Sequence, residues 1–453
     1  METIHIFHTN DWHSHFAYWP RQQAYIQQQK LQYEAEGDSV FLCDVGDHMD
    51  RSSIFTEATL GKGNVQLLNE AGYDVVTIGN NEGITLSYED LSTLYEEANF
   101  DVVVANLTAI AGVTPQWVKP YVIKETANGT KIGFMGATAP FEAFYKTMNW
   151  DVSGPREKIV QLSYYLRDKV DVLLFLSHLG INEDEAIAEM CPFIDVIFGA
   201  HTHHVLPHGK WVNDVLLTGG GMFGRYLGEL TLQIDDNGQL HKKTRLHESQ
   251  QLPTVEREAI FTADLTAIGE RKMTTPLFET TRYYNKEWDH YSKLSDAFAK
   301  IILDTTNADC ALFNAGIFLT DLKKGAVTAL DLHHMLPHPI NLCVVELEVE
   351  ALKEVLATHD ESWPRMALKG LGFRGVVLGK MLTYGMSLDD KRQLYINGQL
   401  AEPHKKYRLV TLDMFTFGYF YPQFKYAKKH YILPAFLREI VAQYGQQRDR
   451  ENS

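Results

Sequence analysis

The sequence predicts an α/β protein: a first half layered from alternating strands and helices, then a second domain mixing both. Three observations carry this. Short apolar runs alternate with stretches of 3.6-residue periodicity up to about residue 235. Asp, Asn and His side chains stand just after several of those runs, where α/β sheets bind ligands. With 453 residues, 45% of them hydrophobic, the chain can build two or three domains with cores of their own.

The strand-like runs are Ile4–Phe7, Val40–Asp44, Val75–Ile78, Val102–Ala105, Ile132–Met135, Val172–Leu176, Val196–Phe198 and Val215–Thr218. Helical spacing marks Arg21–Gln32, Gly63–Ala71, Tyr88–Ala98, Pro155–Lys169 and Glu183–Met190. Leu227–Ile234 alternates apolar with polar and reads as an antiparallel strand ahead of the turn Asp235-Asp236-Asn237-Gly238. From Leu252 to Thr275 the pattern is a charged amphipathic helix that stops before Pro276. The expected division is therefore a domain at 1–250, a helical connection at 251–275 and a second domain at 276–453. That second domain should hold helices at Ser292–Asp304 and Val349–Ala357 and strands at Leu342–Leu347 and Tyr407–Leu412. The polar tail from Gln446 is expected to fray.

A formal net charge of -16 argues against a partner that is a nucleic-acid polymer or an anionic membrane. An acidic protein that handles a phosphate needs local positive charge, which bound cations would supply. The four cysteines are scattered and form no C-x-x-C pair, as expected of small buried groups in a reducing compartment. The chain enters a strand at Ile4 without a basic and then apolar leader, and its apolar runs are too short to span a bilayer. A cytoplasmic protein is expected.

The chemistry lies in short segments: His8-Thr9-Asn10-Asp11-Trp12-His13, Gly46-Asp47, Gly79-Asn80-Asn81-Glu82, Ser177-His178 and His201-Thr202-His203. Asp11, His13, Asp47, Asn80, His178, His201 and His203 are candidate metal ligands, too many for one tetrahedral zinc and suited to two ions. Mixed carboxylate, imidazole and amide donors suit Mn, Zn, Fe or Co better than Mg alone. A shared carboxylate holds such a pair roughly 3.5–4 Å apart. Gly219-Gly220-Gly221 reads as a loop approached closely by the site.

These motifs, in this order, resemble those of the calcineurin-like metallophosphoesterases, and within them the 5'-nucleotidase family, in its YunD-like bacterial branch. The resemblance covers nearly the whole chain. It implies a four-layer αββα catalytic sandwich followed by an α+β substrate-specificity domain. It implies one metal on Asp11, His13, Asp47 and His203 and a second on Asp47, Asn80, His178 and His201, with Asp47 bridging. The reaction implied is attack of a metal-bound hydroxide on the phosphorus of a nucleotide or nucleotide sugar. Alternatives are a phosphodiesterase for cyclic nucleotides or dinucleotides, and a metal-bound nucleotide-binding protein with weak turnover.

The chain departs from the family at one place. The third motif usually reads Gly-Asn-His-Glu-x-Asp, whereas here Asn81 replaces the His and Ile84 the Asp. Asn cannot titrate, but it can donate a hydrogen bond to a phosphate oxygen, so Asn81 joins Asp47 as a candidate catalytic residue. His15 and His48 are the candidates to take the place of the missing His. A leaving group that needs no proton, as in a pyrophosphate, fits this loss. In the second domain, Asn314-Ala315-Gly316-Ile317-Phe318 resembles the family's Asn-Gly-Gly-Ile-Arg segment, with Phe318 in place of the Arg. Tyr419 and Phe420 stand near the family's stacking aromatic. Asn314, Phe318, Tyr419 and Phe420 are thus the candidate substrate contacts.

Overall fold

The computed structural model describes residues 2–358, 363–368 and 370–452. The chain forms two compact units, residues 1–269 and 270–453.

In the first unit, β1 (Glu2–Thr9) turns Ile4 and Ile6 to one face, while His5 and Phe7 on the other meet Tyr33 of α1 (Trp19–Glu36). β2 (Ser39–Asp44), α2 (Lys62–Ala71), β3 (Val75–Val76), α3 (Asn80–Thr85) and β4 (Asp101–Val102) continue the alternation. β5 (Tyr121–Glu125), β6 (Lys131–Thr138), α4 (Pro155–Leu166), β7 (Val172–His178), α5 (Ile181–Met190), β8 (Val196–Gly199), β9 (Lys210–Val212) and β10 (Val215–Thr218) build a second sheet. A hairpin of β11 (Tyr226–Ile234) and β12 (Leu240–Glu248) returns to the first. The six-stranded sheets run β12-β11-β1-β2-β3-β4 and β9-β10-β8-β7-β6-β5.

The sheets stack face to face. Ile4, Ile6, Cys43 and Val75 of one join Phe134, Leu174, Leu176 and Phe198 of the other in a single buried cluster. Behind the second sheet, Met135, Leu173 and Phe175 bury against Ile159 and Leu166 of α4 and Ile187 of α5. With α1 behind the first sheet, the order of layers is αββα.

Helix α6 (Glu258–Lys272) follows, and the division between the units falls within it. In the second unit come β13 (Pro276–Thr280), α7 (Lys293–Thr306), β14 (Cys310–Asn314), β15 (Gly325–Thr328), β16 (Asn341–Glu348) and α8 (Val349–Ala357). β17 (Met381–Tyr384), β18 (Lys406–Leu412), β19 (Lys428–Phe436) and α9 (Leu437–Asn452) complete it. Its five-stranded sheet runs β17-β14-β18-β16-β19, over a core that includes Phe298, Phe313, Phe318, Leu409 and Leu437.

One expectation fails, and one strand was unforeseen. The tail from Gln446 is helical through Asn452, where Gln447 donates to Glu451 one turn on. β12 was not expected, because Leu-His-Lys-Lys-Thr-Arg-Leu-His-Glu is mostly polar; it is an edge strand, where charge discourages further pairing. All four cysteines are free and buried, Cys43 and Cys191 in the first unit, Cys310 and Cys343 in the second. No helix among the described residues is long and apolar enough to cross a membrane.

Candidate metal centre

Strand register brings the motifs together. Thr9 of β1 pairs with Asp44 of β2, and Asp44 with Val76 of β3. In the second sheet Ser177 pairs with Gly199, and His178 with Thr138. The carboxyl ends of these strands therefore open on one edge, and the motif loops leave from it. The loop after β1 runs along the loop after β2: the N–H of Asp11 donates to Gly46 O (3.0 Å) and that of His13 to Asp47 O (2.8 Å). Asp11, His13, Asp47, His201 and His203 all have left-handed backbone, with φ of 50°, 47°, 51°, 68° and 56°. Such conformations cost non-glycine residues about 1–3 kcal/mol each and persist only where the surroundings dictate them. Two glycines permit the approach: a Cβ on Gly46 would lie 2.3 Å from Gly79 N, and one on Gly79 2.0 Å from Asp47 Oδ1.

The side chains converge. His13 Nε2 lies 3.2 Å from His203 Nε2, 3.7 Å from Asp11 Oδ1 and 3.8 Å from Asp47 Oδ2. His203 Nε2 is 3.3 Å from Asp11 Oδ1. His178 Nε2 is 3.4 Å from Asp47 Oδ2 and 4.0 Å from Asp11 Oδ1. Asp47 thus lies between His13 and His178, as a bridging carboxylate would. The His201 ring sits 5.3 Å from that of His178, centroid to centroid, and its backbone N–H donates to Asp11.

The donors suit divalent ions. His178 donates from Nδ1 to Val45 O (2.6 Å), which turns Nε2, the other ring nitrogen, to the cluster. His178 Nε2 and Asn80 Oδ1 are buried and make no hydrogen bond among the described residues. Burial alone would lower the His178 pKa, yet the Asp47 carboxylate raises it to about 10. Burial pushes Asp47 up in turn, but the imidazoles of His178 and His13 outweigh it and hold the carboxyl below its ordinary range. Buried carboxylates here demand positive charge. His201, brought down to about 4 by burial and by His178, is neutral and free to ligate near pH 7.

Other side chains fix this arrangement. The buried Glu82 carboxylate accepts the N–H groups of Gly79 (2.7 Å), Asp47 (3.0 Å) and Met49 (3.1 Å), tying the second and third motifs together. Asn10 holds the first motif to the triple glycine, donating to Gly221 O and Asp11 and accepting from Gly220 N. Neither Glu82 nor Asn10 was anticipated in these roles, although both lie inside the motifs.

Asn81 stands beside a candidate ligand. Its amide nitrogen lies 2.8 Å from His13 Nδ1 and donates to Met49 O (3.0 Å), while its backbone N–H donates to Asp47 (2.7 Å). Asn81 is thus held against the candidate ligand His13 and the main chain of Met49. His48, buried behind Trp12, Phe16 and Trp19 and brought down to about 3 by that burial, cannot replace the missing His. His15 is exposed and lies against Phe223, with ring centroids 3.9 Å apart.

In the second unit the candidates divide. Phe318, fully buried, packs edge-on against Phe298 and Phe313. Phe420 is buried against Phe415 and Trp363. Neither ring presents a face to a ligand, so both are core residues. Asn314 is buried too, its amide donating to Leu378 O (2.6 Å). Tyr419 alone is open, at 69% exposure.

With this geometry in place, comparison with known proteins is informative. Residues 4–205 match the calcineurin-like phosphoesterase family, and residues 268–421 match the 5'-nucleotidase C-terminal domain. The chain is 38% identical to the metallophosphoesterase YunD of Bacillus subtilis, over 97% of this chain and 98% of YunD. It is 23% identical to the trifunctional nucleotide phosphoesterase YfkN of the same organism, over 78% of this chain and 27% of YfkN. Among solved structures, the NAD nucleotidase of Haemophilus influenzae superposes with a TM-score of 0.67 at 15% identity, covering 98% of this chain and 96% of that one. The 5'-nucleotidase precursor of Thermus thermophilus gives 0.58 at 19% identity, covering 98% and 96%.

Proposed function

This chain belongs to the calcineurin-like phosphoesterases that carry a 5'-nucleotidase C-terminal domain, and from that premise we propose that it hydrolyses phosphate esters of nucleotides or sugar nucleotides at the Asp11–His203 cluster. It is a metal-dependent phosphoric ester hydrolase by family. The observation that carries the reading is convergence: ligand atoms of Asp11, His13 and His203, and of Asp11, Asp47 and His178, lie within 4.8 Å of one another. Asp11, His13, Asp47 and His203 would hold one ion, and Asp47, Asn80, His178 and His201 the other. Two such ions supply Lewis acidity toward phosphoryl oxygens and a water acidic enough to be a nucleophile near neutral pH.

The chain's own residues do the rest. Asp47 spends one carboxylate oxygen on the Asn81 N–H and turns the other toward His178, which fixes its orientation. Glu82 keeps the Asp47 loop and the start of α3 at a set spacing. Preorganised ligands of this kind need no rearrangement when charge develops. With Asn81 engaged by His13 and Met49, no titratable side chain occupies the third-motif position, which favours a leaving group that departs without a proton. That same observation favours a second reading, a nucleotide-binding protein with weak turnover. We assign substrate selection to the second unit as part of the proposal. The free, buried cysteines suit a reducing compartment, in support of a cytoplasmic location.

The test is phosphate release from a panel of nucleotides and sugar nucleotides, with and without Mn²⁺ and with Asp47→Asn as control. Metal-dependent release that is lost in the variant is expected. Nucleotide binding without release in any metal would leave only the second reading.

A further inference from the structure

Beside the ligand cluster, in the first unit, stands a bulky residue in a strained backbone conformation. Phe223 has a φ of 64°, a conformation that Gly or Asn adopts readily and a bulky side chain does not. The surroundings impose it. Its N–H donates to Asp11 O (2.8 Å), so its loop is strapped to the loop that carries the first ligand. The next residue, Gly224, lies so near Trp12 that a Cβ would fall 2.1 Å from the indole ring. On this pinned loop the Phe223 ring is only part-buried. It meets His13 edge to face, with centroids 5.7 Å apart, and His15 at 3.9 Å. The guanidinium of the exposed Arg225 lies 5.8 Å from the ring centre, with no ion pair among the described residues. An aromatic ring, an exposed imidazole and an unpaired guanidinium therefore stand together at the rim of the cluster. Meanwhile Phe318 and Phe420, the aromatic candidates of the second unit, are sealed in its core.

We propose that Phe223 is a substrate-positioning residue that receives the ring of the leaving group, its backbone strain maintained because the ring must stand at the metal centre. The proposal rests on the hydrolase reading and narrows it: the preferred esters have a sugar or base ring on the leaving side, and Arg225 is placed to meet further negative charge on them. A ring stacked on an aromatic side chain gains about fivefold to a hundredfold in affinity.

Two measurements test this on the full chain. The first is the ratio of kcat/KM for adenosine 5'-monophosphate to that for glycerol 3-phosphate, which has an acyclic leaving group. The second is calorimetric titration with adenosine, the leaving group alone. Phe223→Asn, which relieves the φ strain, is expected to lower the ratio at least fivefold and weaken adenosine binding similarly, with a Tm no lower than that of the parent. Phe223→Tyr, which keeps the ring, should retain both. A residue that merely packs would behave otherwise: Phe223→Asn would lower the Tm and leave ratio and affinity within twofold, and that result overturns the proposal. Equal losses in Phe223→Tyr and Phe223→Asn would overturn it as well. If the parent releases phosphate neither from these esters nor from any nucleotide or sugar nucleotide of the panel, the hydrolase reading fails, and adenosine binding still judges Phe223.

Discussion

The amide of Asn81 spans His13 and the main chain of the neighbouring loop, so its influence on chemistry passes through a ligand. Partners that orient metal ligands typically contribute tenfold to a hundredfold in affinity. Asn81→Ala should therefore weaken Mn²⁺ binding about tenfold or more, measured by competition with a chromophoric chelator; unchanged affinity would show that the His13 contact is idle. The candidate ligands were legible in the sequence because Asp and His directly after an apolar run have few other reasons to recur. Glu82 and Asn10 were not, since their partners are main-chain groups 35 and 210 positions distant, and any residue carries an N–H. The aromatics of the second unit misled for a related reason. A Phe in a motif carries no mark of its depth, and Phe318 is buried because it has no charge to keep it at the surface.

Loops and strands set the geometry at the next level. Gly79 has an ordinary φ of −95°, so an alanine there meets no conformational barrier but presses on Asp47, whose Oδ1 lies 2.0 Å and backbone N 2.4 Å from the new Cβ. Gly79→Ala should keep the circular dichroism spectrum of the parent and lose bound metal by elemental analysis; full metal content would refute the close-approach argument. Most parallel strands of the first unit could be read directly, because runs such as Val172–Leu176 are buried on both faces and need no alternation to be recognised. β3 and β4 are two residues each, too short for any pattern to fix their bounds, and β12 hides its pairing behind lysine and arginine. The helical tail was missed because polarity was taken for disorder, although Gln, Arg and Glu are good helix formers.

Taken whole, the molecule carries its candidate metal ligands in one compact unit, and no such cluster occurs in the other among the described residues. A ligand that binds only the folded form at a hundred times its Kd stabilises by about 2.7 kcal/mol. Chelation should therefore lower the thermal midpoint of the first unit and leave that of the second where it was, seen by calorimetry as one moving and one fixed transition. The second unit has its own pH response. Burial raises Asp413 from 3.8 to about 7. An acid whose folded pKa lies above its unfolded value contributes most stability below the unfolded value, and this is lost as pH rises through the folded one. Between about pH 4 and 7 the second unit should lose stability from this group, and Asp413→Asn should flatten that slope in urea titrations; an unchanged slope would assign it to other groups. The distribution of thiols adds a means of following either event. Each unit encloses two sulfhydryls and exposes none, so an alkylating reagent finds nothing to modify until a unit opens. Mass mapping of pulse-labelled peptides then times the opening of each half of the chain independently, with no engineered probe.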